Sequence, residues 1–229
     1  MQIYAISDLH LSGFKPKPMN IFGDNWDNHW EKIRIDWKEK VSNDDVVLIP
    51  GDISWAMKLS EATQDLNDIC DMPGIKILLK GNHDYWWSSI SRVREILFNN
   101  TYVLQNDAME FEDIFIAGTR GWICPHEREF KAEDEKIYLR EVERLKLSLL
   151  KIDKSTNKEI IVMMHFPPFN EDKEESGFTD LFKEFNVKKV IYGHLHDASA
   201  AKSFNGVISS VEYKNVSCDY LDFKLYQVK

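Results

Sequence analysis

The sequence predicts an α/β protein with a mixed system of β-strands. Short β-rich runs recur along the chain, segments with the spacing of amphipathic helices lie between most of them, and the residues after His196 alternate in polarity. The length of 229 residues suits one large domain with a substantial core. We therefore predict a single domain over residues 1–229.

Seven runs have the composition of strands. Several are apolar throughout, as expected for strands that are buried on both faces. The predicted strands are Ile3–Ser7, Val46–Pro50, Ile75–Lys80, Tyr102–Leu104, Ile114–Gly118, Glu159–Met164 and Lys189–Tyr192.

Apolar residues at helical spacing indicate three helices between these strands. The residues that define their buried faces are Trp30, Ile33 and Trp37 in the first helix, Leu66 and Ile69 in the second, and Ile90, Val93 and Leu97 in the third. The order is therefore mostly strand, helix, strand.

The longest charged stretch runs from about Glu127 to Asp153 and predicts a further helix on the surface. Its apolar stripe consists of Val142, Leu145, Leu149 and Ile152. The stripe is too short for the sustained heptads of a coiled coil, so a helix packed on the protein by one face is favoured over a partner-binding coiled coil.

The C-terminal segment predicts antiparallel strands. Asn205-Gly206 is a strong hairpin turn signal, and alternating residues follow it towards the end of the chain. We therefore expect a hairpin turn at these two residues and antiparallel strands after it.

Polar side chains follow five of the predicted strands at the point where each strand ends. The segments are DLH (Asp8–His10), GD (Gly51–Asp52), GNHD (Gly81–Asp84), the single His165, and GHLH (Gly193–His196). Because the carboxyl ends of parallel strands meet along one edge of a sheet, where ligands bind, we expect these side chains to lie close together.

The chemistry of these side chains indicates a metal site. Asp8 and His10 are two residues apart, as are His194 and His196, and in an extended segment this spacing puts both side chains of a pair on one face. Imidazole, carboxylate and amide oxygen suit manganese, iron, zinc, cobalt or nickel better than calcium or magnesium. Seven donors are too many for one tetrahedral ion and suit two divalent ions, with Asp52 as the simplest bridging ligand. The seven are Asp8, His10, Asp52, Asn82, His165, His194 and His196.

Each of these positions, taken alone, is also explained as a hydrogen-bonded core residue, a cap or a turn. Five of the seven histidines lie at strand ends, however, and only His29 and His126 lie elsewhere. The joint pattern therefore favours a metal site.

The blocks DLH, GD, GNHD, HFPP and GHLH, in this order and over nearly the whole chain, resemble the motif of the calcineurin-like metallophosphoesterases, D-x-H, G-D, G-N-H-[DE], H and G-H-x-H. The resemblance implies a four-layer α/β/β/α sandwich, in which two mixed β-sheets are flanked by helices, and a dinuclear metal centre. It assigns Asp8, His10 and His196 to the first ion, Asn82, His165 and His194 to the second, and Asp52 to both.

The activity that the resemblance implies is hydrolysis of a phosphomonoester or phosphodiester by attack of a metal-bridging hydroxide on phosphorus. A non-catalytic binding scaffold with the same fold and a nuclease are the alternatives. Every metal-ligating position of the motif is present, which argues against a scaffold. The net charge of −9 argues against extended nucleic acid and anionic membranes as partners, so a small phosphate ester is the expected substrate.

The resemblance places His83 at the leaving-group oxygen, as general acid or hydrogen-bond donor. With Asp52 and Asn82 it completes the predicted catalytic residues. Many relatives carry G-D-x-x-D, whose second Asp orients this histidine, but here GDISW has Trp55 at that position. Asp84 is explained equally as the N-cap of the next helix and as a support for the metal ligands.

Three further residues are candidates for contact with substrate. Trp55 and Trp86 belong to a group of aromatic residues around the motif blocks, which could form an apolar rim for a base or an aryl group; core packing is the alternative. Arg120, in GTRGW, could reach a phosphate, and a salt bridge to a surface carboxylate explains it equally well.

Cysteine usage and the termini bear on the compartment. Cys70, Cys124 and Cys218 are odd in number, far apart and free of CxxC spacing, which predicts reduced thiols. No signal peptide or targeting presequence is recognisable, and no apolar run approaches the roughly 20 residues that cross a bilayer. A soluble, cytoplasmic protein is therefore expected, and the sequence predicts no particular oligomeric state.

Overall fold

The computed structural model describes residues 1–153 and 155–229, and the strands in these residues form two mixed β-sheets. In chain order the strands are β1 (Ile3–Ala5), β2 (Val46–Pro50), β3 (Ile75–Leu79), β4 (Thr101–Val103), β5 (Met109–Glu110), β6 (Ile114–Thr119), β7 (Glu159–Met164), β8 (Lys189–Tyr192), β9 (Gly206–Ile208), β10 (Val211–Asn215) and β11 (Tyr226–Gln227). The α-helices are α1 (His29–Lys40), α2 (Leu59–Cys70), α3 (Ile90–Ile96), α4 (Ala132–Leu149) and α5 (Gly177–Glu184).

Each sheet has a parallel centre and antiparallel edges. The five-stranded sheet has the order β11-β1-β2-β3-β4, in which only β11 is antiparallel to its neighbour. The six-stranded sheet has the order β5-β6-β7-β8-β10-β9, with β6, β7, β8 and β10 parallel and β5 and β9 antiparallel. In both sheets the carboxyl ends of the parallel strands therefore lie along one edge.

The two sheets stack face to face, and helices cover their outer faces. Within β2, Val46 and Leu48 face the other sheet, whereas Val47 and Ile49 face the helices. This strand is buried on both faces, which explains why it is apolar throughout. Burial of each such side chain contributes roughly 1.5–3 kcal/mol.

The helices divide between the two outer faces. Residues of α1, α2 and α3, such as Trp37 and Leu66, pack in the core cluster of the five-stranded sheet. Residues of α4 and α5, such as Leu145 and Phe182, pack in the cluster of the six-stranded sheet. The order of layers is helix, sheet, sheet, helix, which confirms the predicted sandwich.

The C-terminal hairpin exists, but the predicted turn is wrong. β9 and β10 are antiparallel, and the residues between them are Ser209 and Ser210, with φ of 50° and 67°. Gly206 instead begins β9, and the side chain of Asn205 accepts a hydrogen bond from the amide of Asn215 at 2.9 Å. The chain therefore turns where two serines adopt left-handed backbone, a position that the stronger Asn-Gly signal concealed.

Helix α5 was not predicted from the spacing. It has eight residues, and Ser176 caps it by accepting hydrogen bonds from the amides of Phe178 and Thr179. A helix this short shows too little periodicity to be recognised, so its capping residue was the available signal.

The three cysteines are buried and free. None of the helices in residues 1–153 and 155–229 combines the length and apolar composition that crossing a bilayer requires.

Candidate metal centre

The predicted ligands follow strands of both sheets. Asp8, His10, Asp52 and Asn82 follow β1, β2 and β3 of the five-stranded sheet, while His165, His194 and His196 follow β7 and β8 of the six-stranded sheet. Each of these five strands pairs in parallel with at least one neighbour, so the candidate site lies where the carboxyl edges of the two stacked sheets meet.

Three of the four paired ligands have left-handed and not extended backbone, contrary to the sequence-based prediction, and only His196 is extended. Asp8 and His10 have φ of 57° and 48°, and His194 has φ of 69°. Both pairs lie in loops beyond the strand ends, where left-handed residues turn the chain. Non-glycine residues adopt this conformation at a cost, on the order of 1 kcal/mol or more, and such residues concentrate at functional sites.

Two motif glycines allow these loops to approach closely. A Cβ atom at Gly81 would overlap the carboxylate and the amide of Asp52. A Cβ atom at Gly193 would overlap the side chains of Ser7 and Asp8. Glycine at both positions is therefore a packing requirement of the ligand loops.

The ring of His165 shows which atom faces the centre. Its Nδ1 lies 3.0 Å from the carbonyl oxygen of Pro50, so Nδ1 carries the proton and donates it. Nε2 therefore presents a lone pair, and it lies 2.6 Å from Oδ1 of Asn82 and 3.5 Å from Oδ2 of Asp52. Lone pairs that face one another without a proton between them are stabilised by a cation.

His194 completes the cluster around Asn82. Its Nδ1 lies 3.1 Å from Oδ1 of Asn82, and its amide donates a hydrogen bond to the carboxylate of Asp8 at 3.0 Å. Burial lowers the pKa of both His165 and His194 to about 3. Both imidazoles are therefore neutral at pH 7, the form in which histidine binds metal.

His10 and Asp52 contribute polar atoms without partners among the described residues. His10 is 1% exposed, and neither of its ring nitrogens has a hydrogen-bond partner; Oδ2 of Asp52 also has none. Nε2 of His10 lies 3.9 Å from this Oδ2. A buried polar atom without a partner costs roughly 1–3 kcal/mol, so these atoms fit a bound ion that would satisfy them.

Two groups of candidate ligand atoms, which share Asp8, are each compact enough to hold an ion. Within each of two groups the candidate atoms lie within 4.8 Å of one another: Asp8, His10 and His196 form the first group, and Asp8, Asp52 and His165 form the second. Burial, then the charges of Asp8 and Asp84, raise the pKa of Asp52 well above its usual range. A bound cation would lower the pKa of Asp52 again, because it favours the carboxylate form.

Asp84 connects two of the ligand loops. The side chain is fully buried and accepts hydrogen bonds from the amides of Gly81 at 2.7 Å, Asp52 at 3.0 Å and Ile53 at 2.8 Å. It also accepts from the indole Nε1 of Trp86 at 2.9 Å. Helix α3 begins at Ile90 with Ser89 at its N-cap, so Asp84 is not a helix cap and the supporting role is the one observed.

His83 lies beside the ligands without a polar partner for its ring. Its amide donates to Oδ1 of Asp52 at 2.8 Å, while its buried Nδ1 has no partner among the described residues. The ring of Trp55 lies 5.0 Å from that of His83 and stacks on that of His10 at 4.6 Å, tilted by 17°. Packing against Trp55 therefore restrains His83 where an Asp would otherwise hold it.

Trp86 and Arg120, the other two candidates for contact with substrate, both have partners inside the protein. Trp86 is 1% exposed and donates to Asp84, so it is a core residue, and the expectation that it contacts substrate does not agree with its burial. The guanidinium of Arg120 is 3.3 Å from Glu141, which is fully buried. An ion pair was the alternative for Arg120, although its carboxylate partner lies in the interior and not on the surface.

Sequence reasoning missed Asp197, which follows the last ligand. Its Oδ2 lies 3.1 Å from Nδ1 of His196, and its Oδ1 accepts a hydrogen bond from Nε1 of Trp26 at 3.2 Å. This contact leaves Nε2 of His196 to face the centre, as in other sites where a carboxylate orients a histidine ligand. Only its adjacency to the GHLH block could have indicated it.

Comparisons with known proteins identify a family and a fold. The family described as calcineurin-like phosphoesterase matches residues 1–198. Among solved structures, the phosphopantetheinyl hydrolase of Mycobacterium tuberculosis is similar, with 16% identity, a TM-score of 0.60, and coverage of 99% of this chain and 95% of that one. The protein TT1561 of Thermus thermophilus is similar at 13% identity and a TM-score of 0.55, with 98% and 96% covered. A protein of unknown function from Aquifex aeolicus has 16% identity and a TM-score of 0.52, with 99% and 95% covered. No curated protein matches the sequence.

Proposed function

Because this chain belongs to the calcineurin-like phosphoesterase family, we propose that it hydrolyses a small phosphate ester at a centre that holds two divalent metal ions. The observation that carries the proposal is the set of unprotonated donor atoms aimed at one another: Nε2 of His165 faces Oδ1 of Asn82 and Oδ2 of Asp52. With Nδ1 of His165 donating to the carbonyl of Pro50, Nε2 has no proton to offer to either oxygen.

The donors divide between two ions. Asp8, His10 and His196 would hold one ion, Asn82, His165 and His194 would hold the other, and Asp52 would contribute to both. Two bound divalent ions supply Lewis acidity to phosphoryl oxygens and lower the pKa of bound water. The donor set suits manganese, iron, zinc, cobalt or nickel.

Residues beside the candidate metal ligands would position the substrate and donate a hydrogen bond to its leaving group. Nδ1 of His83 is buried and has no partner among the described residues, and the ring would donate a hydrogen bond to the leaving-group oxygen. Trp55 restrains that ring and covers His10, which limits access of water on this side. The net charge of −9 supports a small ester over extended nucleic acid as the substrate.

Replacement of the shared carboxylate tests the proposal. Asp52→Asn keeps the shape of the side chain but removes its charge, so we expect loss of more than 100-fold in Mn²⁺-dependent hydrolysis of bis(p-nitrophenyl) phosphate and p-nitrophenyl phosphate. Metal content, measured on the same protein by mass spectrometry, should fall as well. Asp45→Asn is the matched control, because Asp45 is a mostly buried aspartate that accepts hydrogen bonds from Gln2 and Ser42.

Two results would contradict the proposal. Hydrolysis that survives in Asp52→Asn at the wild-type rate would remove the shared carboxylate from the reaction. Wild-type protein that binds two equivalents of metal but hydrolyses no ester would support the scaffold alternative.

Replacement of His83 tests its place at the leaving group. His83→Ala should retain both ions but slow phenyl esters more than p-nitrophenyl esters, because a poor leaving group depends more on proton donation. The expected loss for the phenyl esters is about 100-fold, measured as kcat for matched ester pairs. Equal losses for good and poor leaving groups would exclude a role in protonation.

A further inference from the structure

A cavity at the carboxyl ends of β3 and β6 carries more positive than negative charge. The lining of this arginine cavity includes Lys80, Arg120 and Arg144, and Glu141 is the only carboxylate among the described residues that line it. The protein as a whole has a net charge of −9. A local excess of cations in an acidic protein indicates a binding site for an anion.

The carboxylate of Glu141 is already used within the protein. Its Oε2 accepts a hydrogen bond from the hydroxyl of Thr119 at 2.8 Å, and its Oε1 accepts from Arg144 at 2.9 Å and from Arg120 at 3.3 Å. The guanidinium of Arg140 lies 3.5 Å from the same Oε1. Because one carboxylate compensates one positive charge, the ion pairs around Glu141 leave a net positive charge at the cavity.

Arg120 has a donor that lacks an acceptor. Its side chain is 15% exposed, and its buried Nε has no partner among the described residues. The guanidinium lies over the ring of Trp122, at 4.5 Å from the ring centre, so its N–H groups remain at the edge of the plane. These N–H groups match the spacing of two oxygens of a phosphate or a carboxylate. A buried N–H group without an acceptor is unfavourable, and an oxyanion would supply the acceptor.

The remaining lining adds further donors. Lys80 is half-buried, and its ammonium group forms no hydrogen bond or ion pair within residues 1–153 and 155–229. The side-chain amides of Gln105 and Asn106 also line the cavity, and neither forms a hydrogen bond in the part of the chain that the structure describes. A bound oxyanion would therefore accept hydrogen bonds from charged and neutral groups together.

The arginine cavity adjoins two of the ligand loops. Lys80 lies two residues before Asn82, and the carbonyl oxygen of Arg120 accepts hydrogen bonds from the amides of His165 at 3.1 Å and Phe166 at 2.9 Å. None of the seven candidate metal ligands belongs to the described lining of the cavity. An anion in the cavity would therefore lie beside the candidate metal centre without being held by its ions.

We infer that the arginine cavity binds an oxyanion, a phosphate or carboxylate group, at a site distinct from the candidate metal centre. Two sources supply such a group: a free anion, and a second anionic group carried by the ester substrate. Binding of the anion does not depend on the proposed function, and only the second source rests on it.

Calorimetric titration of inorganic phosphate into the full chain, kept metal-free in EDTA, tests the inference. Without metal ions the candidate centre presents carboxylates and neutral imidazoles, so it does not attract phosphate. Lys80→Gln removes one cation of the cavity and, because the ammonium group has no partner among the described residues, leaves none of them unsatisfied. We expect this change to weaken phosphate binding at least five-fold.

Two further variants serve as controls for Lys80→Gln. Lys80→Arg keeps the charge, and Lys38→Gln removes a charge from the exposed face of α1, so both should bind phosphate within two-fold of the wild type. Wild-type protein that binds no phosphate at about 10 mM would overturn the inference. Equal affinities of the wild type and Lys80→Gln would also overturn it, because the phosphate would then bind elsewhere.

Hydrolysis by the Mn²⁺-loaded protein distinguishes the two sources of the anion. The substrates are alkyl phosphates of increasing chain length, each with and without a terminal phosphonate that adds a second anion. If the substrate carries the anion, kcat/KM should be at least ten-fold higher for the phosphonate esters, and Lys80→Gln should remove this preference. If the anion is free, both series should react equally while phosphate titration still separates the wild type from Lys80→Gln.

The other outcomes are also decisive. A phosphonate preference that persists in Lys80→Gln would overturn the assignment of the substrate's second anion to the arginine cavity. Absence of turnover for every ester would contradict the proposed function but not the anion site, which a phosphate titration that depends on Lys80 would then assign to a free anion.

Discussion

Asp84 shows how a single buried carboxylate organises the ligand loops. One of its oxygens accepts from the amides of Ile53 and Ser54 and from Nε1 of Trp86, and the other accepts from the amides of Asp52 and Gly81. Each of these groups is a donor, so two carboxylate oxygens are required. The loop that carries Asp52 and the loop that carries Asn82 are thereby held in one arrangement.

Asp84→Asn should therefore weaken both the fold and metal binding. The new amide nitrogen would face N–H donors and leave at least two of them without an acceptor, at a cost of about 3 kcal/mol in the free energy of unfolding. Misplacement of the loops should reduce Mn²⁺ affinity by about ten-fold or more. Urea unfolding and calorimetric Mn²⁺ titration measure the two effects.

Asp134→Asn is the matched control for this change. Asp134 lies in the first turn of α4, and it accepts hydrogen bonds from Nε1 of Trp122 at 2.8 Å and from the amide of Lys131 at 2.9 Å. Its replacement should lower stability but not Mn²⁺ affinity. A parallel loss of affinity in both variants would mean that general destabilisation, and not the ligand loops, explains the effect of Asp84→Asn.

The candidate ligands could be predicted where their position in the sequence, directly after an apolar run, was enough to identify them. The donors of the candidate site follow apolar runs, so Asp8, Asp52 and His165 could be selected from the sequence. The left-handed backbone of Asp8 and the burial of Trp86 could not, because both depend on loops packed against partners distant in the chain. For Asp84 the sequence left two roles open, and only its hydrogen bonds decide between them.

At the scale of elements, a buried lysine joins α2, β3 and the loop before β4. Lys76 is 1% exposed, and its Nζ lies 2.7–3.1 Å from the carbonyl oxygens of Cys70, Met72, Gly74 and Asn99. Cys70 is the last residue of α2, and Met72 and Gly74 follow it, at the end where a helix leaves acceptors unsatisfied. The ammonium group therefore acts as an internal cap for the helix and its connection to β3.

Lys76→Met should destabilise this junction without affecting catalysis. The thioether fills a similar volume but donates no hydrogen bond, so we expect a loss of about 3 kcal/mol in the free energy of unfolding. Metal content and kcat should remain at wild-type levels, because Lys76 contacts none of the donor residues. Lys38→Met, on the exposed face of α1, is the control and should change stability by less than about 0.5 kcal/mol.

A stability loss in Lys76→Met no larger than in Lys38→Met would show that the four carbonyls find other donors, such as water. Loss of metal with intact stability would contradict the separation of this junction from the candidate site.

Element prediction succeeded where burial on both faces produced uninterrupted apolar runs. Val46–Pro50, Glu159–Met164 and Lys189–Tyr192 agree with the observed strands residue for residue, since all three lie in the parallel centres of the two mixed sheets. The short edge strand β5 was not predicted, because two residues carry no periodicity, whereas β11 lies within the C-terminal segment that was predicted to form antiparallel strands. The burial of Lys76 was not predicted, because a lysine within a strand is ordinarily exposed.

At the scale of the whole molecule, the candidate site depends on how two sheets stack. Alternation of strands and helices predicts a mixed sheet system, but it does not specify that two sheets pack face to face; the motif resemblance supplied that expectation. The stacking brings imidazoles from both sheets into one buried cluster. The histidines of this cluster must stay neutral inside the fold, which makes stability depend on pH.

The direction of this dependence follows from the lowered pKa values. Burial lowers the pKa of His165 and His194 to about 3, against 6.5 for an ordinary histidine. Below pH 6.5 the unfolded chain therefore binds protons that the folded chain excludes. The stability that these histidines contribute is fully present above about pH 6.5 and is lost as the pH falls towards 3.

His165→Asn isolates this contribution in metal-free protein kept in EDTA. Between pH 7.5 and 5.5 the wild type should lose about 1 kcal/mol more of its free energy of unfolding than the variant, measured by urea unfolding at both values. The raised pKa values of Asp52 and Asp84 act in the opposite direction, but both proteins contain these residues, so their effect cancels in the difference. Ser88→Asn, at an exposed position without an ionisable group, should show the same pH dependence as the wild type. If His165→Asn also did so, His165 would have to be protonated equally in the folded and unfolded states, and its ring could not present the lone pair on which the candidate centre depends.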